Sequence, residues 1–374
     1  MTDDVARTRR MRASSVASEA WRNVLTGTTR AVTLTILAAG ACGALAAADV
    51  AAIVDLSEQA TQFRESGAAV HVLSSPAAVS GPRCDALGSL PGVLGAGATR
   101  QSAEQPTFLA APRSGIATVE ATVGLAGVLG IVDGTKTASG TGVAAGVWLS
   151  DSAAQTVGAD VGTTLPTSAG PARVAARYVY PSDASDRSLA YSAVTPVPAS
   201  GLFDACWVLA WPPSPTVDTL VRATYAGDPD DRSSATFGQL STRLGEAFDG
   251  PALFASRTTA PAAPVAGVIG LMLGGGAVWL RRLELAAALH ARVPRRAIVA
   301  QVGLELLVVM FATVLVTLPV TFLLARHGNP DGLWPAWSAG LRVTSAGAVG
   351  VLVGGVLVAA TTSEARLFRY FKDR

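Results

Sequence analysis

The sequence predicts an α-helical membrane protein with four transmembrane helices, one followed by three. A mixed α/β extracytoplasmic domain is inserted between helices 1 and 2. Three observations predict this class. Half of the 374 residues are hydrophobic and only 15% are charged, against about 25% charged in soluble domains. The apolar residues gather into four long runs, one near the start and three near the end. The Lys and Arg residues gather between those runs, so the net charge of +2 says little by itself.

Residues 1–30 form a tail and a short amphipathic helix. The first part is polar and carries Arg7, Arg9, Arg10 and Arg12 without an apolar period. Residues 14–29 place Val16, Ala20 and Val24, with Trp21 and Leu25 beside them, at helical spacing. Arg22 and Arg30 flank that face, which suits a helix lying in a membrane interface. Residues 31–54 then run with one charge, Asp49. A helix of that length reaches roughly 36 Å, enough for a hydrocarbon core of about 30 Å. A signal peptide is the rival reading, with small residues at Ala44, Ala46 and Ala47. The long leading segment and the length of the apolar run favour a span.

Residues 55–259 read as the extracytoplasmic α/β domain. Strands are expected at 69–74, 92–99, 143–149, 173–180 and 203–210. Helices are expected at 82–90, from a cap at Asp151 through Val157, and at 236–248, where Phe237, Leu240, Leu244 and Phe248 share a face. Pro- and Gly-rich turns separate them. Cys84 and Cys206 both fall in this domain. Two cysteines in an oxidising compartment suggest one disulfide, the alternative being two buried free thiols.

Residues 260–374 carry the other three spans, at about 262–280, 298–324 and 340–360, with a cytoplasmic loop at 281–297. Pro319 is tolerable in lipid, where neighbouring helices satisfy the freed carbonyl. Gly270/Gly274 and Gly350/Gly354 have small-xxx-small spacing, which either marks close helix packing or reflects ordinary glycine frequency in apolar helices.

Charge sets the orientation. Basic residues crowd the N-terminus, the 281–297 loop (Arg281, Arg282, Arg292, Arg295, Arg296) and the tail (Arg366, Arg369, Lys372, Arg374). The short loop before the last span offers only Arg326 and Arg342. The positive-inside rule therefore puts both termini in the cytoplasm of a multi-pass plasma-membrane protein. Trp334 and Trp337 are expected in the short outer loop as interfacial aromatics, and 366–372 along the inner interface.

No catalytic, cofactor or metal site is expected, and no nucleic-acid partner. Gly134-Thr135-Lys136-Thr137 lacks the upstream glycine of a phosphate loop. The glycines at 92, 95 and 97 read as turn and strand residues. His71, His290 and His327 have no metal-ligand spacing. There is no nucleophile elbow.

The segment from Arg281 to Glu305 is the most informative. A helix leaves the membrane, carries Leu285 and Leu289 four residues apart, turns at Val293-Pro294, and re-enters through Arg295-Arg296. One reading is a basic loop that obeys topology. The sharper reading is a docking helix with apolar anchors inside a basic rim. Glu305, one turn into the third span, is costly in lipid and is expected to pair with a basic or polar group near the inner face.

Here the sequence resembles the FtsX-like/MacB-like permeases of ABC systems. Their second and third spans flank Arg-Arg-x-Glu-Leu-Ala-x-x-x-Ala-x-Gly-x-x-x-x-x-Ile, which this chain matches at Arg281, Arg282, Glu284, Leu285, Ala286 and Ile298. It departs where the family has Gly near the turn, at Val293-Pro294. Glu19-Ala20-Trp21-Arg22-Asn23 looks like the family's amphipathic helix, and Trp148–Leu165 is similar to a strand–helix–strand of the MacB-like outer domain. The resemblance implies a permease subunit without enzymatic activity of its own. It would work with a separate cytoplasmic ABC ATPase and a second permease, either the same chain or a related one. ATP-driven motion would pass through Arg281, Arg282, Glu284, Leu285, Leu289, Arg292, Pro294, Arg295 and Arg296 to the outer domain by mechanotransmission, for export or extraction of a hydrophobic or peptide cargo. The alternatives are an FtsX-like regulator of cell-wall hydrolases and a stand-alone membrane receptor or scaffold.

Overall fold

A computed structural model of the chain describes residues 13–131 and 146–363. The chain divides into two compact units, Met1–Glu58 with Pro251–Arg374, and Gln59–Gly250. These boundaries lie close to those expected at 54/55 and 259/260. The Arg-rich start, the 134–137 stretch, residues 143–145 of one expected strand and the 366–372 tail lie outside the described residues.

The first unit opens with α1 (Ala13–Leu25), whose Val16 and Ala20 are buried. A turn through Gly27, with φ 77°, leads to α2 (Ala31–Glu65). This helix runs eleven residues past the expected end at Val54. Asp55, Glu58, Gln59 and Gln62 hide the continuation from a hydropathy reading. Phe63, on the far end of α2, is nonetheless buried.

The second unit is built on a nine-stranded mixed sheet in the order β5-β6-β4-β7-β3-β2-β8-β1-β9. Its elements, in chain order, are β1 (Val70–Ser80), α3 (Gly81–Leu87), β2 (Val93–Gln101), β3 (Ala117–Thr122), α4 (Leu125–Val128), β4 (Val147–Ser150), α5 (Asp151–Val157), β5 (Thr164–Thr167), β6 (Gly170–Tyr178), β7 (Ser192–Val197), β8 (Leu202–Ala210), α6 (Pro215–Arg222) and β9 (Thr236–Gln239). β3–β7 and β4–β6 pair in parallel and the rest antiparallel. β8 is covered on both faces, so it reads as one apolar run. Alternation along it sends Ala205, Trp207 and Leu209 to one core and Cys206, Val208 and Ala210 to the other. Cys206 bonds Cys84 of α3, with Cα atoms 5.8 Å apart. The expected disulfide is therefore formed.

Two expectations for this unit are corrected. Residues 236–248 do not form a helix. Thr236–Gln239 is strand β9, paired antiparallel with His71–Ser74. Phe237 and Leu240, three residues apart, would share a face of a helix but fall on opposite faces here and pack into different cores. An available edge on β1 decided it, since tertiary pairing overrides local preference. The cap of α5 is Ser150, whose Oγ accepts from Ala153 N–H. Asp151 sits in the first turn and pairs with Arg177 at 2.9 Å.

The chain returns through α7 (Gly250–Ser256) to α8 (Ala262–Leu280), α9 (Arg282–His290), α10 (Arg295–Arg326) and α11 (Leu333–Thr361). α2, α8, α10 and α11 are long and apolar enough to cross a membrane. α8 and α11 meet backbone to backbone. A Cβ on Gly270, Gly274, Gly350 or Gly354 would overlap a backbone carbonyl oxygen of the facing helix, at Gly347, Val351, Gly267 and Leu271 respectively. The glycine pairs thus mark close packing. α10 buries Thr313, Thr317 and Thr321 one turn apart. The hydroxyls of Thr317 and Thr321 donate to the carbonyls four residues back. Trp334 and Trp337 are not in a loop but in the first turns of α11. Pro335 fits there because its missing N–H would have had no helical acceptor.

Candidate functional site

The α8–α9–α10 segment is built from an apolar helix that stops, a short helix, and a second apolar helix. The stop comes at Arg281, with φ −98° and ψ 9°, between α8 and α9. α9 then ends in a Schellman motif. Val293 N–H donates to Ala288 O at 3.1 Å and Arg292 N–H to Leu289 O at 2.9 Å. Arg292 takes the left-handed position at φ 63°. An L side chain is strained in this conformation. Pro294 follows, unable to prolong α9, and leads directly into α10.

Glu305 is 1% exposed and is the centre of the site. Its Oε2 accepts from Arg281 Nη1 at 2.6 Å, and its Oε1 from Asn23 Nδ2 at 2.7 Å and Gln301 Nε2 at 3.3 Å. Arg281 also reaches Glu284 at 3.2 Å. One buried carboxylate therefore holds α1, the α8–α9 junction and α10 together. A charge at such a position is tolerated only when paired and hydrogen-bonded. The expected basic or polar partners are present. Gln301 is one turn back on the same helix, whereas Asn23 was not legible, since nothing local links positions 282 residues apart.

The other expected coupling residues divide into two groups. Leu285 is buried in the hydrophobic cluster that also holds Ala31, Leu34, Ile298 and Val302, and the half-buried Leu289 packs against that cluster. The reading of these leucines as displayed anchors is thus corrected. A leucine spacing in α9 marks the face turned toward its own bundle. The exposed face instead carries Ala287, His290, Ala291, Arg292, Pro294 and Arg296. Arg282 lies over the Trp279 ring at 4.1 Å. Arg295 donates to Thr362 O at 2.8 Å.

A second buried ion pair lies in the same unit. Asp49, the lone charge of the first apolar run, meets Arg257 at 3.1 Å. Arg257 also donates to Phe254 O and covers the Phe254 ring. The signal was legible in Asp49, because a charge in an apolar helix demands a partner. Arg257 was assigned to the neighbouring domain and was missed.

The sheet unit carries two further features. A cleft of about 690 Å³ is lined by Val70, Leu94, Trp207, Leu209, Leu240 and Arg64, among others. Tyr180 lines it too, and burial pushes its phenol well above the usual range, so it stays neutral. His71, buried on β1, has Nδ1 2.8 Å from Asp218 of α6. Burial pushes its pKa down, against the pull of Asp218. Its Nε2 has no hydrogen-bond partner among the described residues.

Comparison of the sequence with models of known protein families and with curated proteins gives no match.

Proposed function

We propose that this chain is the permease subunit of an ABC transporter of the FtsX-like/MacB-like kind. It would sit in the plasma membrane with both termini cytoplasmic and take its energy from a separate cytoplasmic ATPase. The carrying observation is the return segment between two apolar helices. Its inner face is fixed to α1 and α10 through Glu305, and its exposed face carries Arg292 and Arg296, which make no ion pair among the described residues. A push on α9 would be passed to α10 through Arg281–Glu305 and the apolar cluster that Leu285 shares with Ile298 and Val302 rather than absorbed at the turn. The apolar cleft in the sheet unit supports a hydrophobic or peptide cargo, and a second permease would complete the pair.

The test is copurification of an ABC ATPase with the full chain. Arg292→Gly suits the left-handed turn while removing a charge, and Arg296→Glu reverses one on the exposed face. Together they are expected to lower ATPase recovery by about tenfold or more, as loss of charged contacts worth about 1.4 kcal/mol would. Unchanged recovery with both, or absence of any ATPase from the wild-type complex, refutes the docking assignment.

A further inference from the structure

The turn between α1 and α2 opens onto a cavity of about 700 Å³ shared with the last turns of α8. Its two ends differ in chemistry. One end is made by Thr26, Thr28, Thr29 and Arg30 at the start of the 35-residue helix α2, together with Glu284. The other is apolar, with Leu37 and Met272 more than half exposed.

Three observations mark the polar end as unfilled. The Thr29 hydroxyl is buried, with the residue 5% exposed, and has no hydrogen-bond partner among the described residues. A buried hydroxyl in that state is costly unless something occupies it. Arg30 is exposed and makes no ion pair among the described residues, whereas Arg281 beside it is answered by Glu305 and Glu284. Arg30 also holds φ 51°, a conformation that disfavours any side chain. Finally, the first N–H groups of α2 have no acceptor within the helix and favour an anion.

We propose that this cavity binds a glycerophospholipid of the surrounding bilayer. The headgroup phosphate sits at Arg30, the Thr28 and Thr29 hydroxyls and the α2 N-terminus. The acyl chains run along Leu37 and Met272. A free phosphate would use the polar end alone and leave the apolar flank uncovered, so the length and two-ended character of the cavity favour the lipid. Glu284 repels an anion, but its carboxylate is tied to Arg281. The inference rests on α2 and α8 crossing a bilayer and not on the ATPase, so failed copurification leaves it standing.

The experiment is native mass spectrometry of the full chain purified from membranes in mild detergent. Wild type is expected to retain one phospholipid per chain. Arg30→Gly removes the cation while suiting the left-handed backbone, and Thr29→Val removes only the hydroxyl. Each should lower the bound fraction about tenfold, as loss of a charge-assisted or buried hydrogen bond does. Arg326→Ala, an exposed cation at the far end of α10, should leave it unchanged. Thr29→Val also has a folding readout. If the cavity is empty, the variant is as stable as wild type or more so and changes no adduct, which overturns the proposal. Displacement of the adduct by inorganic phosphate, or a lipid-free dimer that closes the cavity, overturns it as well.

Discussion

At the scale of single residues, two buried charges carry specific consequences. Removing Glu305 in Glu305→Ala would leave Arg281, only 13% exposed, with a single pairing to the half-exposed Glu284. The expected cost is about 3 kcal/mol, because an uncompensated buried charge is worse than none. Arg281→Met with Glu305→Leu should recover most of that loss. Thermal unfolding of the full chain in detergent measures both, and equal stability of the single and double variants would refute the pairing. His71 has the opposite character. Its folded-state pKa lies below the ordinary 6.5 because burial disfavours the imidazolium, and a second N–H would find no acceptor. The unfolded chain therefore binds the proton more readily as pH falls. The sheet unit should be most stable above pH 6.5 and lose stability below it, by at most about 1.4 kcal/mol per pH unit. Urea unfolding of wild type and His71→Gln at pH 5 to 8 checks this, and the variant should show a flatter profile.

At the scale of elements, the α8–α11 contact gives a matched pair of tests. A side chain on Gly274 would meet the Val351 carbonyl, whereas one on Gly276 meets open space. Gly274→Val should therefore cost about 1–3 kcal/mol from overpacking. Gly276→Ala should be neutral or gain up to about 1 kcal/mol in helix propensity. Equal melting temperatures for the two variants would mean that the contact does not stabilise the helix pair. The same elements show what the sequence could reveal. The four apolar helices were legible because hydropathy is a composition signal, and β1, β2, β6 and β8 because short strand-like runs bounded by turns are local. Helix ends were not: α2 continues under polar residues to Glu65, and α11 begins early enough to include Trp334. β9 was misread because its four residues take their state from the strand beside them and not from the helical spacing of their apolar side chains. In the candidate site, Glu305 was legible as a charge in need of a partner. The direction of Leu285 was not, because a two-turn amphipathic helix does not say which surface its apolar face meets.

At the scale of the whole molecule, the sheet unit is closed around its own cores and both its chain ends converge. Phe63, near its start, lies 5.6 Å from Phe248, near its end, and both pack on Trp211. The Cys84–Cys206 bond ties α3 to the central strand across 122 residues. A unit whose ends meet and whose cores use only its own residues should fold without the helices that flank it. Residues 59–250, expressed alone in an oxidising compartment, are expected to give a monomer with one cooperative unfolding transition. Its thiols should resist alkylation until reduction, and reduction should lower stability by at most about 4–5 kcal/mol in the chain-entropy account. The converged ends also imply that covalently joining residues 59 and 250 through a short flexible linker would leave the transition intact, because native separation of the ends is already small. A non-cooperative transition in the isolated unit, or free alkylation of both thiols before reduction, would show instead that the sheet depends on the helical unit to hold its shape.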